Sequence, residues 1–402
     1  MKAEDEKKID KGESATKSVS QENRPIRCAL IGCGRVAVKH LKAIKQFPGA
    51  LSLAGVADPH PEAARRLFQQ ADFGQDPVAS GLYDASADRL LDDRKPDLVA
   101  ITTPSGTHTQ LALKALDAGC HVLVEKPMTL SLKEADQLIV KAEANHRILA
   151  VGHIYRYFPL IQMLQKDLLD GRFGTILSGR VTVYWGHDQA YYDAADWRGT
   201  WQQDGGALMN QCVHALDLML YLIHAPIIRI SGWIDQIRHQ IEAEDYGLVQ
   251  MQFANGAYGI LEGSTATDPR RQEASFSIQC SRGSINLSFC RGKPSIRIID
   301  ETGHNSRNRA LWRFARQTLG QEGIQGLRQV MHPHTVLYRD LIKAIQTGEQ
   351  PIADGYSGRQ AVEAVLAAYA SALKGRTLSL PIEPFEIREM NGFFERLHMT
   401  EK

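Results

Sequence analysis

The residues with the plainest chemical potential lie between positions 27 and 41. A short apolar run, 28–31, leads into Gly32-Cys33-Gly34-Arg35-Val36-Ala37. A buried strand, a glycine turn and a helix start in this order are the G-x-G-x-x-A form of a dinucleotide-binding turn. Gly32 permits the sharp turn, Gly34 puts no side chain between the backbone and a pyrophosphate, and Ala37 lets helix and strand pack closely. The helix start offers unpaired N–H groups and a partial positive charge to phosphates, with Arg35 and Val36 in the same turn. Asp58 closes the next apolar run, about twenty residues on, where a carboxylate accepts hydrogen bonds from ribose hydroxyls. It also suits a helix cap before Pro59, and both roles are compatible. A carboxylate at that place repels a 2′-phosphate, so the expected cofactor is NAD rather than NADP.

These residues need a scaffold, and the hydrophobic pattern supplies one. Apolar runs at 51–57, 97–102, 121–124 and 148–152 alternate with helical stretches at 61–70, 108–118 and 132–144. Such alternation predicts an α/β Rossmann domain with a doubly wound parallel sheet, whose ligands sit at the carboxyl ends of the strands. Thr103, Ser105, Glu125 and Lys126 fall at those ends. From about residue 151 the pattern changes to strand-like runs at 176–185, 227–237, 246–253, 257–265, 274–279, 284–289 and 295–299, several joined by short turns such as Asn255-Gly256. They predict an α+β C-terminal domain with a mostly antiparallel, open-faced sheet. Helices at 205–223 and 334–346 are expected to pack against it, with a third at 357–374. The expected division is a disordered tail at 1–24, a cofactor-binding domain at 25–150 and a substrate-binding and oligomerisation domain at 151–390.

Composition narrows the classes of partner. The 402 residues carry a formal net charge of +1, so no global field draws the chain to nucleic acid or a membrane surface. The six cysteines are scattered without C-x-x-C spacing, which suggests neither a metal site nor a disulfide framework and fits a reducing cytoplasm. No apolar run is long enough to span a bilayer, and the charged first residues do not form a signal peptide.

The combination of Gly32-Cys-Gly-Arg-Val-Ala37, Thr103-Pro-Ser105 with His108, Glu125-Lys-Pro127, His214-Ala-Leu-Asp217 and Pro351-Ile-Ala-Asp-Gly355 resembles the Gfo/Idh/MocA oxidoreductase family. The stretch Tyr191-Tyr-Asp-Ala-Ala-Asp-Trp-Arg-Gly-Thr-Trp201, followed by Asp204-Gly-Gly-Ala-Leu-Met-Asn-Gln-Cys-Val-His214, is similar to the nucleotide-sugar 3-dehydrogenases of that family. Those enzymes oxidise the 3-hydroxyl of UDP-N-acetylglucosamine or its uronate. The chain departs from them in having only Gly205 and Gly206 before Ala207, and His224-Ala225 where a glycine is usual. Many other family members carry Asp in place of Asn210.

The resemblance implies an NAD-dependent sugar dehydrogenase. Lys126, His214 and Asn210 become the catalytic candidates. His214 is the expected base, since an imidazole titrates near working pH. Lys126 offers a cation to the developing alkoxide, and Asn210, one helical turn before His214, orients the sugar. The cofactor contacts would come from Gly32, Gly34, Arg35, Val36, Asp58, Thr103, Ser105, His108, Glu125, Lys126, Trp197 and Arg198, with Trp201 as a second possible wall. Arg156, Tyr157, Arg198, Asn210 and His214 are the expected substrate contacts, the arginines matching diphosphate or carboxylate oxygens bidentately; Arg270 and Arg271 are weaker candidates of the same kind. Asp217 reads as a partner to the helix, and His108 and His153 also read as structural. A homodimer or homotetramer through the C-terminal sheet is expected. The competing readings are an enzyme that oxidises C3 transiently to cleave a glycosidic bond, another sugar or inositol dehydrogenase, and a non-catalytic sugar sensor.

Overall fold

Six strands whose side chains are almost all apolar form the first sheet: β1 (Ile26–Ile31), β2 (Leu51–Ala57), β3 (Tyr83–Asp84), β4 (Leu98–Ile101), β5 (His121–Val124) and β6 (Leu149–Val151). In the computed structural model, which describes residues 24–329 and 331–400, they pair in parallel in the order β3-β2-β1-β4-β5-β6. This is the doubly wound arrangement, and continuous burial is what a parallel sheet covered on both faces demands. β4 is buried along its whole length, for example. The strand order reverses between β1 and β4, so the crevice lies above their carboxyl ends, beside the Gly32 turn and Thr102 to Ser105. The tail expected at 1–24 lies, but for Arg24, outside the described residues.

The second sheet holds β7 (Ile176–Tyr184), β8 (Ile227–Asp235), β9 (Tyr246–Phe253), β10 (Tyr258–Ser264), β11 (Glu273–Cys280), β12 (Gly283–Cys290), β13 (Lys293–Ile299) and β14 (Leu378–Ser379). Their order is β13-β12-β11-β7-β10-β9-β8-β14, antiparallel except for the β7–β10 pair. Alternation sends Val249, Met251 and Phe253 into the core, where the helices Val213–Ile223 and Gly355–Lys374 cover one face. Trp233 and Tyr258 point out of the other. Among the described residues no helix is long and apolar enough to cross a membrane.

One helix does not lie where the sequence suggests. Pro333–Thr347, expected on the second sheet, packs instead on the helix Ala37–Ile44 of the first domain. Its Leu337, Tyr338 and Leu341 are buried in the same cluster as Leu30, Leu41 and Ile44. A helical stripe shows which residues need burial, and any apolar surface can satisfy it.

Candidate active site

The glycine turn fits a dinucleotide. Gly32 has φ +94°, and a Cβ there would stand 2.8–2.9 Å from Thr103 Cγ2 and the Thr102 carbonyl. Thr102 Oγ1 donates to Gly32 O at 2.6 Å and holds the turn closed, a residue the sequence reading passed over. Around Gly34 the outer side is open: a Cβ would meet only Thr102 O, at 3.9 Å. The helix that follows has no side-chain cap and no acid in its first turn, so its N–H groups remain for phosphate oxygens. Asp58 stands at the end of β2, its two carboxylate oxygens each accepting one backbone N–H, from Cys33 and from His60, both at 2.9 Å. Each oxygen keeps a lone pair for a ribose hydroxyl.

Lys126 follows β5, and its ammonium crosses to the second domain. Nζ donates to Asn210 O at 2.7 Å. Asn210 belongs to a π-helical turn, Leu208–Cys212, that precedes the helix Val213–Ile223. The expected continuous helix at 205–223 is therefore wound one residue wider at its start, a distortion that concentrates at functional sites. Burial holds Lys126 below the usual lysine value, against the pull of Glu125 and Asp204. Asp204, also absent from the expected site, is buried beside it; one oxygen accepts Gly199 N–H at 2.9 Å and the other accepts Asn210 Nδ2. Gln211 Nε2 donates to Asn210 Oδ1 at 3.1 Å, so the Asn210 amide is already held at both ends.

His214 comes one turn later. Burial and the Lys126 cation hold its imidazole well below the ordinary histidine value, so it is neutral and able to accept a proton. Its ring lies 5.2 Å from Tyr155 and 6.3 Å, edge-on, from His153, centroid to centroid. Arg198 lies on the loop before the π turn. It donates to Tyr191 O at 2.6 Å and covers the rings of Tyr191 and Trp197 at 4.3 and 5.4 Å. Its Nε is buried without a partner. Thr103 lies at the crevice with its hydroxyl accepting from Thr107 at 2.7 Å, and Ser105 is buried at the start of the next turn. Arg35 and Val36 occupy the turn itself.

Several expected contacts are otherwise engaged. Arg156 is buried and spends its fork on Asp217, Nε to Oδ2 at 2.8 Å and Nη2 to Oδ1 at 2.6 Å, with Nη1 on Ile352 O at 3.0 Å. Tyr157 donates to Asp340 at 3.1 Å and accepts Ala353 N–H at 3.1 Å, and burial lifts its phenol well above the usual range. Neither faces a diphosphate. His108 has both ring nitrogens on backbone carbonyls, Pro127 at 2.8 Å and Thr103 at 3.0 Å, which makes it a clamp between two loops. Glu125 turns beneath the loop onto His40, 2.9 Å away. Burial, the largest single influence, would raise its carboxyl, but the His40 bond and the attraction of His40, His214 and His334 together outweigh it and bring it down. His334 lies close by, edge-on to His40 at 5.3 Å, so three ligand-type atoms gather within 4.8 Å through ordinary hydrogen bonding and ring packing. Trp201 is fully buried against Tyr369 and Phe394 and walls no pocket. Arg270 folds back on Asp268 at the surface.

Residues 26–153 match the oxidoreductase family Gfo/Idh/MocA, NAD-binding Rossmann fold, and residues 161–286 match the Gfo/Idh/MocA C-terminal domain. Among solved structures, the WlbA dehydrogenase from Bordetella pertussis, in complex with NADH and UDP-GlcNAcA, is 28% identical with a TM-score of 0.77, covering 90% of this chain and 99% of that one. A UDP-N-acetylglucosamine 3-dehydrogenase of Acidithiobacillus ferrooxidans is 37% identical over 141 residues, 35% of this chain and 41% of that protein. An NAD(+)-dependent scyllo-inositol 2-dehydrogenase of Bacillus subtilis is 29% identical over 274 residues, 66% of this chain and 75% of that protein.

Proposed function

Because the chain belongs to the Gfo/Idh/MocA family and is an NAD-dependent sugar dehydrogenase, we propose that it oxidises the 3-hydroxyl of UDP-N-acetylglucosamine or its uronate to a ketone. The observation that carries this reading is the likeness to WlbA across nine-tenths of the chain, with both domains included. The relative from A. ferrooxidans supports it from a shorter stretch. The nicotinamide, when bound, supplies the hydride acceptor. In this reading the chain does the rest. His214, neutral in its buried setting, takes the hydroxyl proton. Lys126, fixed by Asn210 O, sets a cation beside the alkoxide as it forms. Asn210, held by Asp204 and Gln211, offers the sugar its remaining amide hydrogen and carbonyl lone pair. Arg198 is the guanidinium left to meet an anionic group of the substrate, since Arg156 is taken.

The test is to incubate the purified protein with NAD and each of UDP-N-acetylglucosamine, its uronate, myo-inositol and glucose, following reduced nicotinamide and the mass of the product. A UDP-sugar should turn over fastest and give a product two hydrogens lighter. Free inositol or glucose reacting as well as either UDP-sugar would defeat the assignment. The chain is also proposed to assemble through the outer face of the second sheet, where Trp233 is 56% and Tyr258 59% exposed, on the same face as Leu248 and Ile260. Light scattering on the eluting protein should report a dimer or tetramer, and a charged residue at Trp233 should lower that mass.

A further inference from the structure

Behind the proposed reaction centre lies a file of buried groups that the mechanism above leaves unused. His153 is 1% exposed, and neither of its ring nitrogens has a hydrogen-bond partner. Its Nε2 stands 3.7 Å from Asp217 Oδ1, within ion-pair range and short of a hydrogen bond. Asp217 is 0% exposed and accepts both arms of the Arg156 guanidinium fork. On its other side the His153 ring meets the His214 ring edge-on, 6.3 Å between centroids. His214 Nδ1 is likewise sealed from solvent without a partner, while Nε2 is not among the sealed nitrogens. Three unpartnered imidazole nitrogens in two neighbouring rings are an unusual concentration, because buried polar atoms are nearly always paired.

We propose that Arg156, Asp217 and His153 form a buried relay behind His214, in which His153 is a positioning residue that fixes the tautomer of the base and shares the proton it receives. The proposal rests on His214 being the base of a dehydrogenation, whichever sugar is oxidised. The order of protons follows from the ends inward. Asp217 Oδ1, 3.7 Å away, is the acceptor that faces His153 Nε2, so the ring proton of His153 stands on Nε2. That leaves His153 Nδ1 as an acceptor, and through one water it accepts from His214 Nδ1–H. His214 Nε2 is then unprotonated and free for the substrate hydroxyl, the tautomer a base requires. When Nε2 takes that proton, the hydride passes from the carbinol carbon to the nicotinamide and the C–O bond becomes a carbonyl. The imidazolium formed at His214 is stabilised along the file toward Asp217. The relay answers a difficulty of the site: desolvation and Lys126 both weaken His214 as a base, Glu125 pulls the other way, and a carboxylate coupled from behind adds to that pull. The charged and titratable groups that face His214 are Lys126 and Glu125 beyond β5, His153 and Tyr155 beyond β6, and His334 on the helix Pro333–Thr347.

The test has one arm without substrate. In the full-length, NAD-loaded protein with 15N-labelled histidine, imidazole nitrogen shifts report tautomers directly. The expected result is a proton on Nδ1 of His214 and on Nε2 of His153. A proton on Nε2 of His214 overturns the relay whatever the protein oxidises. In the second arm, His153→Phe and His153→Gln are assayed with the sugar that turns over fastest. Loss of the relay weakens the base, so the acid limb of kcat/KM moves to lower pH in His153→Phe. Its plateau falls by roughly tenfold, a fraction of what a general base contributes, while KM changes less than twofold. His153→Gln, which keeps an acceptor and a donor, recovers part of the loss. A folded His153→Phe with the wild-type pH limb and kcat overturns the proposal. If no UDP-sugar reacts but another sugar does, the substrate assignment fails and both arms still decide the relay.

Discussion

In the proposed reaction Lys126 and His214 reach one hydroxyl from two different elements, and each has a second task that separates their variants. His214→Ala removes the proposed base and nothing that touches the cofactor turn. Its kcat is expected to fall by roughly a hundredfold or more, with NAD affinity, read by fluorescence quenching, close to wild type. Lys126→Met removes the cation and also the bond to Asn210 O across the cleft, so kcat should fall at least as far and the melting temperature should drop as well. The double variant should lose little more than the worse single one, because both groups serve the same transition state. A His214→Ala protein that keeps most of its activity would put the base elsewhere, and Tyr157 could not replace it, locked between Asp340 and Ala353. At this scale the sequence was legible where a motif fixes backbone geometry, as at Gly32, Gly34 and Asp58. It was not legible where one side chain suits two partners. Arg156 matches a diphosphate and the Asp217 carboxylate equally well, and nothing local shows that Asp217, 61 residues on, arrives first.

The element that gathers these groups is the π turn Leu208–Cys212, and the strands beneath it are shaped to admit it. Leu208 sits over Gly247 of β9, where a Cβ would lie 2.7 Å from it, and Cys212 over Gly263 of β10, where a Cβ would overlap its sulfur. Gly263→Ala should therefore cost about 1–3 kcal/mol through overpacking and lower kcat by shifting Asn210 and His214. Adding Cys212→Ala should restore part of both, as thermal melts and turnover would show. Glu244 anchors the start of the turn. Its Oε1 accepts Leu208 N–H and Tyr369 O–H, each at 2.8 Å, and burial pushes its carboxyl up to about 8. The folded protein thus keeps a proton on Glu244 over a range where the unfolded chain, near 4.5, has lost it. Stability from this group is fully present below the unfolded value, declines as pH rises from about 4.5 toward 8, and is flat above. Melting temperatures should fall across that window, and Glu244→Gln should flatten the slope and melt higher than wild type at pH 8. An unchanged slope would remove Glu244 from the account. Most strands and helices read from periodicity stand with ends displaced by a residue or two, whereas the helices Ala87–Arg94, Pro159–Leu169 and Arg307–Gln329 were not read at all. The π turn was not, because an apolar run with polar residues at helical spacing reads the same at either winding.

Across the whole molecule, the sequence showed two kinds of sheet because strand patterning depends on which faces are covered. It did not show that the chain returns from the second domain to complete the first. The helix Pro333–Thr347 lies on Ala37–Ile44, and His40 on that helix hydrogen-bonds Tyr338 at 3.1 Å and Glu125 at 2.9 Å, tying the returning segment to the strand end that carries Lys126. Ala353 is buried in the same cluster, and Val151 N–H donates to its carbonyl at 2.9 Å. The helix Gly355–Lys374 then packs on both β8 and the helix Leu132–Ala144. The cofactor domain is therefore finished by residues more than 180 positions beyond its last strand, and the two halves share buried surface that neither owns alone. A fragment ending at residue 153 would expose Leu41 and Ile44 and leave His40 without Tyr338. Such a fragment should be insoluble or lack a cooperative melt, and should bind NAD far more weakly than the full chain. The full chain should unfold in one calorimetric transition whose midpoint rises with added NAD, since a ligand held by one half stabilises everything that melts with it. Two separated transitions, with only the first moved by NAD, would mean that the returning helices decorate an independent Rossmann domain instead of completing it.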